Sequence, residues 1–169
     1  MSHMRAILGL GSNVGDRLTN LQAAVNFIDL RVGRVGTISS VWQTSPVYVI
    51  NQDPFFNAVI DVDTTLTPAD LLTACKEIER EVGRVMRNRW GPREIDIDVL
   101  AMVDDEGKII QVNTPSLQLP HPRMGERRFV IEPLREVDAS LIPNQLQKEL
   151  LVRQKADVVR DAKLSVHRD

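Results

Sequence analysis

The chain has 169 residues, 43% of them hydrophobic and 26% charged, with a formal net charge of -2 and a single cysteine, Cys75. That length suits one domain with a substantial core and excludes two sizeable ones; the charge excludes a duplex nucleic-acid binder driven by bulk positive charge, and the lone cysteine excludes an internal disulfide and points to a reducing, cytoplasmic setting. No apolar run approaches the ~18 residues of a membrane-spanning helix, and the first residues lack the basic-then-apolar order of a secretory leader.

Met1-Ser2-His3 reads as a cloning scar ahead of a native start at Met4. Arg5 to Gly11 is an apolar run of strand length that ends in the turn-rich Gly9-Leu10-Gly11-Ser12-Asn13. Leu18, Leu21, Val25 and Ile28 then recur at helical spacing, with Asn13 and Asp16 as a capping arrangement at the helix start. Thr37 to Thr44 is rich in β-branched and aromatic residues and predicts a strand. Phe55 to Asp63 predicts another, in which Phe56, Ala58, Ile60 and Val62 share one face. The intervening Ser45 to Pro54 is longer than a tight hairpin needs and reads as a binding loop.

Thr67-Pro68-Ala69-Asp70 supplies an N-cap, a proline at the first helical position and an acid near the third, ahead of Leu71, Cys75, Ile78 and Val82. Gly83 is expected to end this helix in a left-handed cap, and Cys75, on the apolar stripe, reads as core rather than as a nucleophile. Glu94 to Met102 alternates as a strand, with Lys108 to Val112 pairing to it across the Asp104-Asp105-Glu106-Gly107 turn. Pro120 to Met124 is irregular and Arg128 to Val137 predicts a short helix. Leu146, Leu150 and Leu151 mark a further helix, and residues 163–169 are expected to fray. The order βαββαβ, followed by a hairpin arm and C-terminal helices, predicts a ferredoxin-like α+β sandwich: one domain over 4–160, its antiparallel sheet carrying two helices on one face.

The chemistry concentrates between Gly83 and Asp98, where Arg84, Arg87, Arg89 and Arg93 occur without an intervening acid just before Asp96 and Asp98. Side chains two apart on a strand point the same way, so both aspartates stand on one face while Ile95, Ile97 and Val99 enter the core. Paired carboxylates suit a hard divalent cation, magnesium first. A bare Asp-x-Asp is more often the solvated face of an edge strand; the arginines tip the reading, because planar guanidinium forks beside metal-binding carboxylates describe a nucleoside triphosphate site. Gly9 to Gly15 is one residue too long for a dinucleotide fingerprint and lacks the lysine of a P-loop, so it reads as a strand-to-helix turn.

Arg89-Trp90-Gly91-Pro92-Arg93 with Asp96-x-Asp98 resembles the signature of the 6-hydroxymethyl-7,8-dihydropterin pyrophosphokinases. The resemblance extends to Leu8-Gly9-Leu10-Gly11-Ser12-Asn13, Thr44-Ser45-Pro46, Phe55-Phe56-Asn57-Ala58-Val59 and Pro120-His121-Pro122-Arg123-Met124 with Arg127 and Phe129, covering Met4 to Val137. It implies that Asp96 and Asp98 bind two Mg2+ ions, that Arg84 and Arg93 hold phosphates at the reacting centre, and that Glu79, Arg87, Arg89, Trp90, His121 and Arg127 contact ATP. For Glu79 an exposed helix glutamate is the equal rival, and for His121 a turn histidine without a ligand. The resemblance places the pterin between Phe55 and Phe129, with Asn57 and Thr44 at its polar edge and Pro46, Val47 and Trp90 nearby. Residue type agrees, since Phe55 and Asn57 share a strand face and Phe56 points the other way; core packing is the rival for either phenylalanine. Met86, Ser116 and Gln118 depart from the family pattern at positions that are often basic or phosphate-binding.

The resemblance implies in-line attack by the pterin hydroxymethyl oxygen on the β-phosphorus of ATP, with AMP leaving and no covalent intermediate, by a cytoplasmic monomer without nucleic-acid or membrane partners. The acid-free arginine loop around Trp90 is expected to close over the substrates. Two rivals stand beside this reading: a two-metal phosphodiesterase, which needs no aromatic pterin pocket, and a non-catalytic ferredoxin-like regulatory or RNA-binding module, which needs no aspartate pair.

Overall fold

A computed structural model of the chain describes residues 2–44, 54–86 (84–86 for their backbone alone), 94–142 and 156–166. The elements are β1 (Met4–Ser12), α1 (Arg17–Arg31), β2 (Arg34–Ile38), β3 (Trp42–Thr44), β4 (Phe55–Thr64), α2 (Pro68–Met86), β5 (Asp96–Val103), β6 (Val112–Asn113), β7 (Gln118–Leu119), α3 (Arg128–Asp138) and β8 (Ala156–Val158), with 3-10 turns at Met124–Glu126 and Ala139–Leu141. The sheet runs β5-β1-β4-β3-β8, with β2 also on β4, and every pairing in it is antiparallel. Since β2 and β3 share one partner, they fill a single strand position, and the order is the ferredoxin-like one expected.

β1 lies inside the sheet, between β5 and β4, and its alternation serves two faces. Leu8 and Leu10 point to the face covered by α1 and α2, where they join Leu21, Val25 and Ile28 of α1, Leu71, Cys75, Ile78 and Val82 of α2, and Ala58, Ile60, Ile97 and Val99 of the flanking strands. Burial of each large side chain here contributes roughly 1.5–3 kcal/mol. On the opposite face Val130 and Leu134 of α3 close over Ile7, Val59 and Leu100.

Several local expectations are corrected. The strand predicted over Thr37 to Thr44 is broken in two, because the Ser39 hydroxyl takes the Val59 N–H at 2.9 Å, a bond that a backbone carbonyl would accept in an unbroken ladder. Asp16, not Asn13, caps α1, its carboxylate accepting from the Thr19 N–H at 3.1 Å. Thr67 caps α2 as expected, accepting from the Asp70 N–H at 3.2 Å, but Gly83 does not end that helix, which continues to Met86. A Cβ at Gly83 would lie 3.3 Å from Glu94 Oε2, so the glycine serves close approach of a buried carboxylate to the helix rather than a left-handed turn.

The turn at Asp104 to Gly107 forms as predicted, with Asp104 Oδ1 accepting from the Glu106 and Lys108 N–H groups. The strand expected over Lys108 to Val112 shrinks to the bridge Val103–Ile109, after which the chain leaves to form the separate β6/β7 pair. The helix expected from Leu146 to Leu151 lies outside the described residues. The chain end is not frayed at 163–166: Leu164 is buried in the core, and the Ser165 N–H and carbonyl are both bonded by the Gln22 amide.

Candidate active site

Two glycines of β1 organise the part of this sheet face that α3 does not cover. Gly11 is the cross-strand partner of both Asn57 on β4 and Asp96 on β5, and Gly9 is the partner of both Val59 and Asp98. Directly paired residues present their side chains on the same face, and neighbouring strands lie ~4.8 Å apart. Asn57 and Asp96 therefore stand roughly 10 Å apart across a lane without side chains. The resulting trough has an amide on one wall and two carboxylates on the other.

The amide wall is built by the pairing of β3 with β4, which sets Thr44 opposite Phe55 and Trp42 opposite Asn57. Asn57 is buried and its Nδ2 donates to Thr44 Oγ1 at 3.3 Å. A Cβ at Gly11 would fall 2.9 Å from Asn57 Oδ1 and 3.8 Å from Phe55 Cδ1, so Phe55 and Asn57 both lean over the lane. Phe56 turns to the other face, where the Arg17 guanidinium stacks 4.0 Å from its ring centroid while donating to the Pro54 carbonyl. Phe129 sits half-buried in the first turn of α3, with the Arg127 guanidinium 5.4 Å from its ring centroid.

On the carboxylate wall Asp96 is exposed and Asp98 half-buried, while Ile97 and Val99 are buried, as their alternation requires. Asp98 opens into a cleft of about 380 Å³ that also takes in Lys76, Ser116, Gln118 and His121. A second cleft, about 660 Å³, continues from it past Leu72, Lys76 and Leu117 toward Thr67 and Arg80. His121 donates its backbone N–H to the Leu100 carbonyl and accepts the Arg123 N–H at Nδ1, which leaves Nε2 to carry the ring proton. Burial lowers the His121 pKa; Asp98 opposes the shift and Arg127 and Arg123 add to it. The imidazole is thus a neutral donor near pH 7, beside Asp98.

Glu79 is neither exposed nor turned to open solvent: it is buried, with Oε2 accepting the Ile97 N–H at 2.9 Å and Oε1 3.3 Å from Lys76 Nζ. Arg127 occupies the N-cap position of α3, and its carbonyl accepts from Val130 and Ile131. Cys75 lies in the core as read from its spacing, its thiol pushed up to about 12 chiefly by burial. Arg84 falls in the last turn of α2, described by its backbone alone; Pro46, Val47, Arg87, Arg89, Trp90 and Arg93 lie outside the described residues. The glycine lane and Lys76 had no counterpart in the sequence reading; Gly9 and Gly11 were legible only as a turn, because their opposing residues belong to strands far along the chain.

Among the described residues no three His, Cys, Asp or Glu side chains gather closely enough to form a metal cage. The aspartate pair suits magnesium nonetheless, since that ion keeps several waters and commonly takes one or two carboxylates together with substrate phosphates.

A family model for 7,8-dihydro-6-hydroxymethylpterin-pyrophosphokinase matches residues 7–139, from within β1 to just past α3. The chain belongs to this family. It is 47% identical over 139 residues to the 2-amino-4-hydroxy-6-hydroxymethyldihydropteridine pyrophosphokinase of Methylorubrum extorquens, covering 82% of this chain and 85% of that one. It is 40% identical over 133 residues to the Bacillus subtilis pyrophosphokinase of the same name, covering 78% and 77%. The folate synthesis bifunctional protein of Pisum sativum is 40% identical over 131 residues, covering 78% of this chain and 24% of the pea protein. A crystal structure of a Plasmodium falciparum HPPK-DHPS triple mutant superposes with a TM-score of 0.65 at 14% identity, covering 90% of this chain and 43% of that one. This chain therefore spans less than half of the plasmodial chain, and at that identity the likeness concerns the fold. No helix among the described residues is long and apolar enough to cross a membrane.

Proposed function

We propose that the chain transfers pyrophosphate from ATP to 6-hydroxymethyl-7,8-dihydropterin, giving AMP and the pterin diphosphate, in folate biosynthesis. The observation that carries this is the cross-strand row Asn57–Gly11–Asp96, which sets a lane without side chains between a hydrogen-bonding amide and a carboxylate. Phe55 and Phe129 supply the aromatic faces for the ring, Asn57 and Thr44 its polar edge, and Pro46, Val47 and Trp90 complete that side. Arg84, Arg87, Arg89, Trp90, Arg93, His121 and Arg127 form the nucleotide side.

The hydroxymethyl oxygen attacks the β-phosphorus as the bond from that phosphorus to the α-phosphate oxygen breaks, and the hydroxyl proton is released as AMP leaves. Asp96 and Asp98 would hold two Mg2+ ions, whose chemistry is to neutralise and align the phosphate oxygens. Asp96, the more exposed of the pair, would also guide the departing proton. His121 offers Nε2–H to a phosphate oxygen, and the arginines hold the triphosphate in line. The protein works as a cytoplasmic monomer whose single domain runs from Met4 through the docked Leu164.

Incubation with Mg·ATP and the reduced pterin should yield AMP and the diphosphate ester; ADP as the adenine product, or no transfer, would sink the reading. Asp96→Ala and Asp98→Ala should each lower turnover by at least ~10²-fold, the loss of several kcal/mol of charge stabilisation. Circular dichroism should be unchanged, since both side chains stand outside the core. A two-metal phosphodiesterase would instead cleave ATP or a diester equally well without pterin.

A further inference from the structure

Among the described residues β5 has β1 as its one ladder neighbour, with a bridge to Ile109 at its far end, so N–H groups on its other edge need partners from elsewhere. At Ile97 that partner is the Glu79 carboxylate, reaching from α2 at 2.9 Å in a buried setting. Ile97 is the one residue between Asp96 and Asp98. We infer that Glu79 is a positioning residue for the aspartate pair, clamping β5 at the peptide that sets the angle between the two carboxylates.

Three observations support the clamp. Glu79 is 8% exposed although ionisable residues are seldom buried without a purpose, and its second oxygen is held by Lys76 at 3.3 Å, so the carboxylate is fixed at both ends. Asp96 and Asp98 carry like charges on one face of β5, and a bond to the intervening backbone holds their spacing without using either carboxylate. Finally, Arg84 stands in the last turn of the same helix, which ends at Met86, so the clamp ties the spacing of the carboxylates to the helix that carries Arg84. The inference rests on the proposed function only in taking the pair as a metal site.

The test compares wild type with Glu79→Ala and Glu79→Gln, the latter keeping an acceptor oxygen for Ile97. Manganese binding in the presence of α,β-methylene-ATP is followed by electron paramagnetic resonance, and exchange of the Ile97 amide by NMR. In Glu79→Ala the manganese dissociation constant should rise roughly 10-fold or more and Ile97 exchange should accelerate by about 10-fold or more. Glu79→Gln should stay within about 3-fold of wild type on both measures. An unchanged manganese affinity in folded Glu79→Ala, or a glutamine variant as impaired as the alanine one, would overturn the inference. If the alanine variant does not fold, wild type decides: an Ile97 amide that exchanges as fast as solvent-exposed amides means there is no clamp. Absence of AMP formation by wild type would sink the proposed reaction, while the manganese and exchange measurements would still score the clamp.

Discussion

At Gly11 a side chain is excluded by contact rather than by backbone conformation. An added Cβ would approach Asn57 Oδ1 to 2.9 Å, so Gly11→Ala must push the amide away from Thr44 and out of the position proposed for the pterin edge. Calorimetry should show pterin affinity falling by roughly 1–3 kcal/mol, the cost of a polar group left unpaired, with the affinity for an ATP analogue affected much less; equal losses would place Asn57 elsewhere. His121 makes a second residue-scale prediction. Burial holds its pKa below 6.5 in the folded protein, so between the depressed value and 6.5 the unfolded chain binds more protons. Its contribution to stability is therefore fully present above that window and is lost as pH falls through it. Urea unfolding at pH 5 and pH 7.5 should show a smaller drop in stability for His121→Gln than for wild type, and an equal or larger drop would contradict the assignment.

α2 shows how one helix serves stability and chemistry through different faces. Its apolar stripe of Leu71, Cys75, Ile78 and Val82 is wholly buried, while Glu79 and Lys76 on the neighbouring stripe face β5 and the clefts. The start of the helix lines the far end of the second cleft, away from Asp98. Thr67→Ala removes the cap on the Asp70 N–H and should cost ~1 kcal/mol of stability, read as a lower urea midpoint, with kcat unaltered. A fall in kcat beyond that expected from unfolding would mean that the helix start is coupled to the site. The broken second strand teaches the converse lesson: β-branched residues continue through Val41 into β3, yet the Ser39 hydroxyl replaces a ladder bond and divides it, a competition that strand propensity does not register.

The whole molecule is closed by a segment far from the pyrophosphokinase match. β8 adds to the outer edge of β3, the Val159 N–H reaches the Val41 carbonyl, and Leu164 enters the core shared by α1 and α2. Leu164→Ala should cost about 2–5 kcal/mol by opening a cavity, seen as a lowered Tm; a Tm within error of wild type would mean that the C-terminal segment is not docked in solution. The sequence by itself determined the order βαββαβ, the core stripes of α1 and α2, and the shared face of Asp96 and Asp98, because each follows from a local periodicity of 3.6 or 2 residues. It also determined family membership, because the motifs around Asp96, Asp98 and His121 are contiguous stretches of chain. Only the tertiary structure decided that Gly9 and Gly11 separate the amide from the carboxylates, that Glu79 grips the backbone of Ile97 instead of facing solvent, and that the charged C-terminal end supplies both an edge strand and a core leucine. These depend on register between residues tens of positions apart, and no local pattern encodes which strand will lie beside which.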